Sequence, residues 1–319
     1  MTRARNIFVV LMAATGLALA QAPPAANAPT GLQAPARPRF VPIPIGPSAF
    51  VPPEVAIPHP TPAEVAQINQ ALTKWIDTDQ SADRTLLKKY ESLLMLQAPR
   101  LNVAATYTPT QMRLGARHDG FVEIAKKGDI DLLLHGDSIT DWWTQGDENK
   151  ATFEKYFGAY KTANFAIAGD TTNGVLWGLR NGEGQGFQPK AIMLMIGTNN
   201  TGGAEHEGTA SAAGIAEGIG AVVLEMRSDF PQAKILLLAI FPRGIAGDPV
   251  RGKIAEINRL ISKLDDGRHV FYLDIGPKFL DEKGNFLPDA FRPDNLHPAA
   301  KGYDIWGAAV KDKLAELTK

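Results

Sequence analysis

From residue 118 to the C-terminus, short apolar runs alternate with stretches in which apolar residues recur every three or four positions. The runs Asp131–His135, Ala163–Ile167, Ala191–Ile196, Ile235–Ile240 and Val270–Leu273 predict five strands. They are near-continuous rather than alternating in hydrophobicity, which predicts a parallel sheet covered on both faces. Between them, Ile215, Ile219, Val222, Val223 and Met226 fall on one helical face, and further helices are expected over Arg251–Leu264 and Ala299–Leu317. Strands that alternate with helices imply a three-layer α/β domain, whose ligands bind beyond the C-terminal ends of the strands.

Upstream the pattern changes. Thr61-Pro62-Ala63-Glu64 is a helix start, with a capping hydroxyl, a proline that fits the first turn and a glutamate able to reach back to the cap. Val65, Ile68, Leu72, Trp75 and Ile76 then recur at helical spacing, as do Leu86, Leu87, Tyr90, Leu93 and Leu94 before the break at Pro99. Residues 61–117 are therefore expected to form a helical extension packed on a catalytic domain spanning 118–319. Residues 21–60 hold 12 of the 23 prolines and lack periodicity, which predicts a Pro/Ala-rich tether. Its apolar residues, among them Ile43, Ile45, Phe50 and Val51, remain free to lie on the domain in extended form. Residues 1–20 read as a secretory signal: Arg3 and Arg5 precede the apolar stretch Ile7–Leu19, and Ala18-Leu19-Ala20 offers a cleavage site. The expectation is export to the periplasm or the medium, with a chain starting near Gln21. No later stretch is long and apolar enough to span a bilayer.

Composition removes several classes. A formal net charge of −1 gives no electrostatic reason for a nucleic-acid partner. The absence of cysteine excludes disulfides, thiol nucleophiles and thiolate metal sites. The six histidines include no pair at a metal-ligand spacing, so no metal is expected.

Four polar segments sit where the predicted strands end or the last helix begins: Gly136-Asp137-Ser138, Gly169-Asp170, Gly197-Thr198-Asn199 and Asp294-x-x-His297. Taken singly, each is ordinary turn or capping chemistry. Together they supply what serine-based ester hydrolysis needs: a hydroxyl, a base, a group that fixes the base, and donors for the oxyanion. Ser138 is the expected nucleophile, His297 the base and Asp294 its orienting acid, one helical turn apart. The N–H groups of Ser138 and Gly169 and the side-chain amide of Asn199 are the expected oxyanion donors. Asp137 is assigned a supporting role, bonded to loop amides, with Thr140 and Asp141 capping the next helix. His135 is expected to be a satisfied structural histidine pointing away from Ser138. His118 and His206 fall in helical stretches and His59 and His269 in loop or strand-edge positions, so none of them is taken as the base. Trp142, Trp143 and Trp177 are expected to pack rather than to form a sugar platform.

These segments resemble the conserved blocks of the SGNH hydrolases, also called GDSL esterases and lipases, from about His118 onward. The resemblance extends to the catalytic subunits of intracellular platelet-activating factor acetylhydrolase through Asn164–Thr172, Val175-Leu176-Trp177, Ile196–Asn200, Pro231–Ile235 and Phe241–Gly244. It implies a flavodoxin-like sheet of about five parallel strands, no cofactor, and a triad in which Ser138, Asp294 and His297 match the catalytic positions and Gly169 and Asn199 the oxyanion positions. Relatives of that type can dimerise, which leaves a homodimer open. The export signal and the segments before His118 depart from that group and are closer to bacterial esterases that deacetylate polysaccharides. The expectation is a secreted serine esterase for short, acetyl-type esters, with a small molecule or a polysaccharide as substrate. Two alternatives stay open: a lysophospholipase or thioesterase acting on lipid acyl groups, and a non-catalytic glycan-binding or envelope protein.

Overall fold

A computed structural model describes residues 43–97, 101–202 and 210–319. The expected signal segment, the first part of the proline-rich tether, Pro99 and His206 lie outside the described residues. Five strands form one sheet: β1 Leu132–Gly136, β2 Thr162–Asn164, β3 Ala191–Met195, β4 Lys234–Leu238 and β5 Val270–Leu273. Their order is β2-β1-β3-β4-β5, with every neighbouring pair parallel. That is the flavodoxin-like order, in which the connections diverge at β1 and β3 and open a crevice beyond their C-terminal ends.

The helices are α1 Pro62–Thr78, α2 Arg84–Lys89, α3 Glu91–Leu94, α4 Ala116–Lys127, α5 Ser138–Asp141, α6 Asp147–Phe157, α7 Thr172–Gly178, α8 Ala212–Asp229, α9 Pro249–Ile261 and α10 Ala300–Leu317. Successive side chains of a strand point to opposite faces, and the core divides accordingly. Leu133, Ile192, Leu194, Ile235 and Leu237 pack with Ile215, Ile219 and Met226 of α8 and Ile254 and Ile257 of α9. Leu132, Leu134, Met193, Leu236 and Leu238 pack on the other face with Trp143, Trp306, Val310 and Leu314. All five residues of β1 are buried, as a central strand with both faces covered requires.

Strand β2 is shorter than its apolar run. Asn164 turns its own side chain on the backbone, with Oδ1 accepting from Ala166 N–H at 3.1 Å while Nδ2 donates to Thr140 O at 2.9 Å. The chain therefore leaves regular strand geometry at Asn164, although Phe165 N–H still reaches Leu134 O at 2.9 Å.

Parts of the segment before residue 118 are built into the same body. Arg113, placed by the sequence in the helical extension, is fully buried; its Nε donates to Asp170 Oδ2 at 2.7 Å, and a second nitrogen reaches Glu183. Part of the proline-rich stretch also docks: Val55 is a core residue, and Glu217 of α8 accepts from Ile57 N–H at 2.9 Å and from Asn102 Nδ2 at 2.8 Å. The capping box at Thr61 and Glu64 is formed. Among the described residues, no helix is long and apolar enough to cross a membrane.

Candidate active site

The turn that carries Ser138 follows β1 directly. Gly136 sits where a Cβ would lie 2.2 Å from Met195 O and 2.7 Å from Thr140 Oγ1, so only glycine lets the strand end pass so close to β3. Asp137, rather than Thr140 or Asp141, caps the next helix: its Oδ1 accepts from Ile139 N–H at 3.0 Å. Thr140 and Asp141 lie inside that helix, and Asp141 instead binds Arg117 at 2.8 Å and accepts from Ala168 N–H at 3.1 Å. These bonds tie the serine turn to the Gly169 loop. Tyr303 of α10 fixes the turn from below, donating to Ile139 O at 2.8 Å.

Ser138, placed at the first turn of α5, has its Oγ 2.9 Å from His297 Nε2. His297 Nδ1 is 2.7 Å from Asp294 Oδ2. The two residues do not share a helical turn, as the spacing had suggested. Asp294 Oδ1 accepts from the N–H groups of Leu296 and His297, each at 3.0 Å, in an Asx-type turn. Asn295 takes φ 52° there, a left-handed conformation that asparagine tolerates. Burial raises the Asp294 pKa, but the His297 amide, the His297 ring and the Leu296 amide together hold it below the ordinary carboxylate value. Asp294 is thus ionised and positioned to hold one tautomer of the imidazole.

Gly169 has φ 81° and ends the loop after β2. Asn199 follows β3, and its Nδ2 donates to Asp170 O at 2.7 Å. That bond uses one amide hydrogen and leaves the second without an acceptor among the described residues. Among the described residues, the Ser138 and Gly169 N–H groups have no acceptor. The structure therefore brings Ser138, Gly169, Asn199, His297 and Asp294 to one edge of the sheet.

Several features were not legible from sequence. Trp142 stacks on the His297 ring at 4.0 Å between centroids and 23° between planes, and the Arg292 guanidinium lies 4.6 Å from the Trp142 ring. The position four residues after Ser138 hinted at proximity but not at this partner. Trp143 is a core residue as expected, and Trp177 lies 4.7 Å from the His118 ring. Three of the histidines set aside do find acids: His269 Nδ1 is 3.6 Å from Asp266 Oδ2, three residues before it, and two others pair with distant positions. His118 Nδ1 is 2.7 Å from Glu183 and His59 Nε2 is 3.0 Å from Glu217. His135 is buried, but its ring is not satisfied: Glu183 lies 3.7 Å away, beyond hydrogen-bond range, and burial lowers the His135 pKa. Burial works against ionisation of Glu183, yet Arg113, His118 and His135 together hold its pKa at about 2.

Asp137 is 1% exposed, and burial pushes its pKa up to about 7, against the Ile139 N–H and with the added repulsion of Asp170. A carboxyl that binds its proton more tightly when folded contributes stability below its ordinary value of 3.8 and loses it as pH rises through about 7. Asp137→Asn keeps a capping oxygen and removes the charge. The variant is expected to gain on wild type between pH 4 and 7, by at most about 4 kcal/mol, and to hold that gain above pH 7. Urea unfolding of both proteins at a series of pH values measures the gap, and a gap independent of pH refutes the assignment.

With fold and geometry in place, the chain belongs to the GDSL-like Lipase/Acylhydrolase family, whose model matches residues 134–305. It is 37% identical over 190 residues to the platelet-activating factor acetylhydrolase IB subunit alpha2 of Rattus norvegicus, covering 59% of this chain and 77% of that protein. It is 31% identical over 222 residues to the alpha1 subunit from the same organism, covering 68% and 90%. Among solved structures, a candidate acylhydrolase from Bacteroides fragilis superposes with a TM-score of 0.53 at 18% identity, covering 66% of this chain and 99% of that one, a likeness of fold.

Proposed function

We propose that this acylhydrolase is an exported serine esterase that removes short acyl groups, acetyl above all, from carbohydrate alcohols. The observation that carries the catalytic part is the unbroken chain from Ser138 Oγ through the His297 ring to Asp294, with links of 2.9 and 2.7 Å. In this reading His297 Nε2 takes the proton of Ser138 as Oγ attacks the ester carbonyl carbon. The carbonyl oxygen becomes an oxyanion held by the N–H groups of Ser138 and Gly169 and by Asn199 Nδ2. Collapse breaks the bond to the alcohol oxygen, which leaves with the proton carried by Nε2. Water, deprotonated by the same nitrogen, then attacks the acyl–Ser138 ester and frees the acid. Asp294 stays ionised throughout and stabilises the imidazolium.

Support for a short acyl group comes from the acetylhydrolase relatives. Export, and with it a carbohydrate alcohol outside the cell, rests on the leader-like residues 1–20. The names of the relatives favour a second reading, in which the alcohol is a glycerophospholipid. The test is acid release from aryl esters of two to eight acyl carbons, alongside acetylated xylan and an acetylated glycerophosphocholine. The proposal expects kcat/KM to fall at least about tenfold from acetate to octanoate, and acetate to be released from xylan. Octanoate turned over as well as acetate contradicts the acyl assignment, and release from the lipid alone moves the alcohol to the second reading.

A further inference from the structure

We infer that Met112 is a specificity residue that contacts the alcohol portion of the ester, an inference that rests on the short-acyl reading above. Met112 lies upstream of the family match, which begins at residue 134. Its Cγ is 3.6 Å from where a Cβ on Gly169 would sit, so the thioether borders the loop that carries one oxyanion donor. It is nevertheless 56% exposed. A single exposed apolar side chain is ordinary on a protein surface, but this one is held in place from both sides. Two residues before it, Thr110 Oγ1 donates to Asp170 Oδ1 at 2.8 Å; one residue after it, Arg113 Nε donates to Asp170 Oδ2 at 2.7 Å. Asp170 is the immediate neighbour of Gly169. The Thr110–Arg113 turn is closed by Arg113 N–H donating to Thr110 O at 3.1 Å, and Arg113 itself is fully buried. An apolar group has thus been fixed against the oxyanion loop and left facing solvent.

The side of the substrate follows from burial. Ile139, directly after Ser138, is 1% exposed and packs into the core, so the chain behind the hydroxyl is closed off from solvent, whereas the alcohol must extend outward from the crevice. An exposed lip on the rim meets that outward part. A flexible thioether covers varied apolar surfaces, so it suits alcohols that present a ring or an alkyl face.

The test holds the acyl group as acetyl and varies the alcohol: methyl acetate against 2-naphthyl acetate, with wild type, Met112→Ala and Met112→Leu. Because the side chain is exposed, Met112→Ala is expected to fold with an unchanged thermal midpoint. Its kcat/KM for 2-naphthyl acetate should fall about tenfold, chiefly through KM, while methyl acetate changes less than about twofold, and Met112→Leu should restore most of the loss. An equal loss on both esters, or none on either, overturns the inference. So does a loss that follows acyl length, seen by comparing 2-naphthyl acetate with butyrate. Wild type inert toward every acetate would overturn the short-acyl reading and this inference with it, whereas an active wild type indifferent to Met112→Ala would overturn the inference alone.

Discussion

Ser138→Ala is expected to lower kcat for an aryl acetate by about 10⁴- to 10⁶-fold while leaving the fold intact. The hydroxyl lies 2.9 Å from the imidazole and is small, so its removal leaves no cavity of consequence and no buried charge without a partner. His297→Ala is expected to cost a similar factor, because an alcohol that keeps its proton is a poor nucleophile. The diagnostic result is the double variant: residues that act as one unit are non-additive, so Ser138→Ala/His297→Ala should be no slower than either single variant to within about tenfold. Initial rates with purified proteins, matched by circular dichroism, provide the measurement. A multiplicative loss in the double variant would show that the two side chains act independently.

The second large effect is on stability. Arg113→Met is expected to destabilise the protein by about 3–5 kcal/mol, because it strands two buried carboxylates. Arg113, Asp170 and Glu183 are all fully buried, with Arg113 bonded to both acids. Methionine fills much of the volume but supplies no donor and no charge. The sign with pH is also determined. Glu183 has a folded pKa of about 2, depressed from 4.5, so its pairing contributes stability above 4.5 that is lost as pH falls toward 2. The deficit of the variant should therefore be largest near pH 7 and smaller at pH 4. Denaturant midpoints at the two pH values test this, and a deficit under about 1 kcal/mol at pH 7 would contradict it.

The same network shows what a sequence conveys and what it withholds. Strands β1, β3 and β4 were legible because central parallel strands are buried on both faces and read as unbroken apolar runs, and the edge strand β5 because Val270–Leu273 is a short apolar run of the same kind. The C-terminal end of β2 was misplaced because Asn164 competes for the backbone, a local effect that hydrophobicity does not register. The convergence of Ser138, Gly169, Asn199 and His297 could be anticipated, since a parallel sheet brings the ends of its strands to one edge. The way Asp294 holds His297 was not, because it depends on a left-handed Asn295 rather than on helical spacing. Pairings such as Arg113 with Asp170 and His118 with Glu183 join residues 57 and 65 positions apart and leave no periodic trace. Trp142 lay in view, but its stack on His297 depends on how the loop before α10 folds back over the sheet edge.

The central claim is that Ser138 itself carries the acyl group. Trapping states it most directly: a chromogenic acetate mixed with excess enzyme and quenched in acid, or a fluorophosphonate left to react, followed by digestion and mass spectrometry. The account predicts one added group on the tryptic peptide Gly128–Lys150, localised to Ser138, and none in Ser138→Ala. A label on a different residue, or undiminished hydrolysis and labelling in Ser138→Ala, would contradict it.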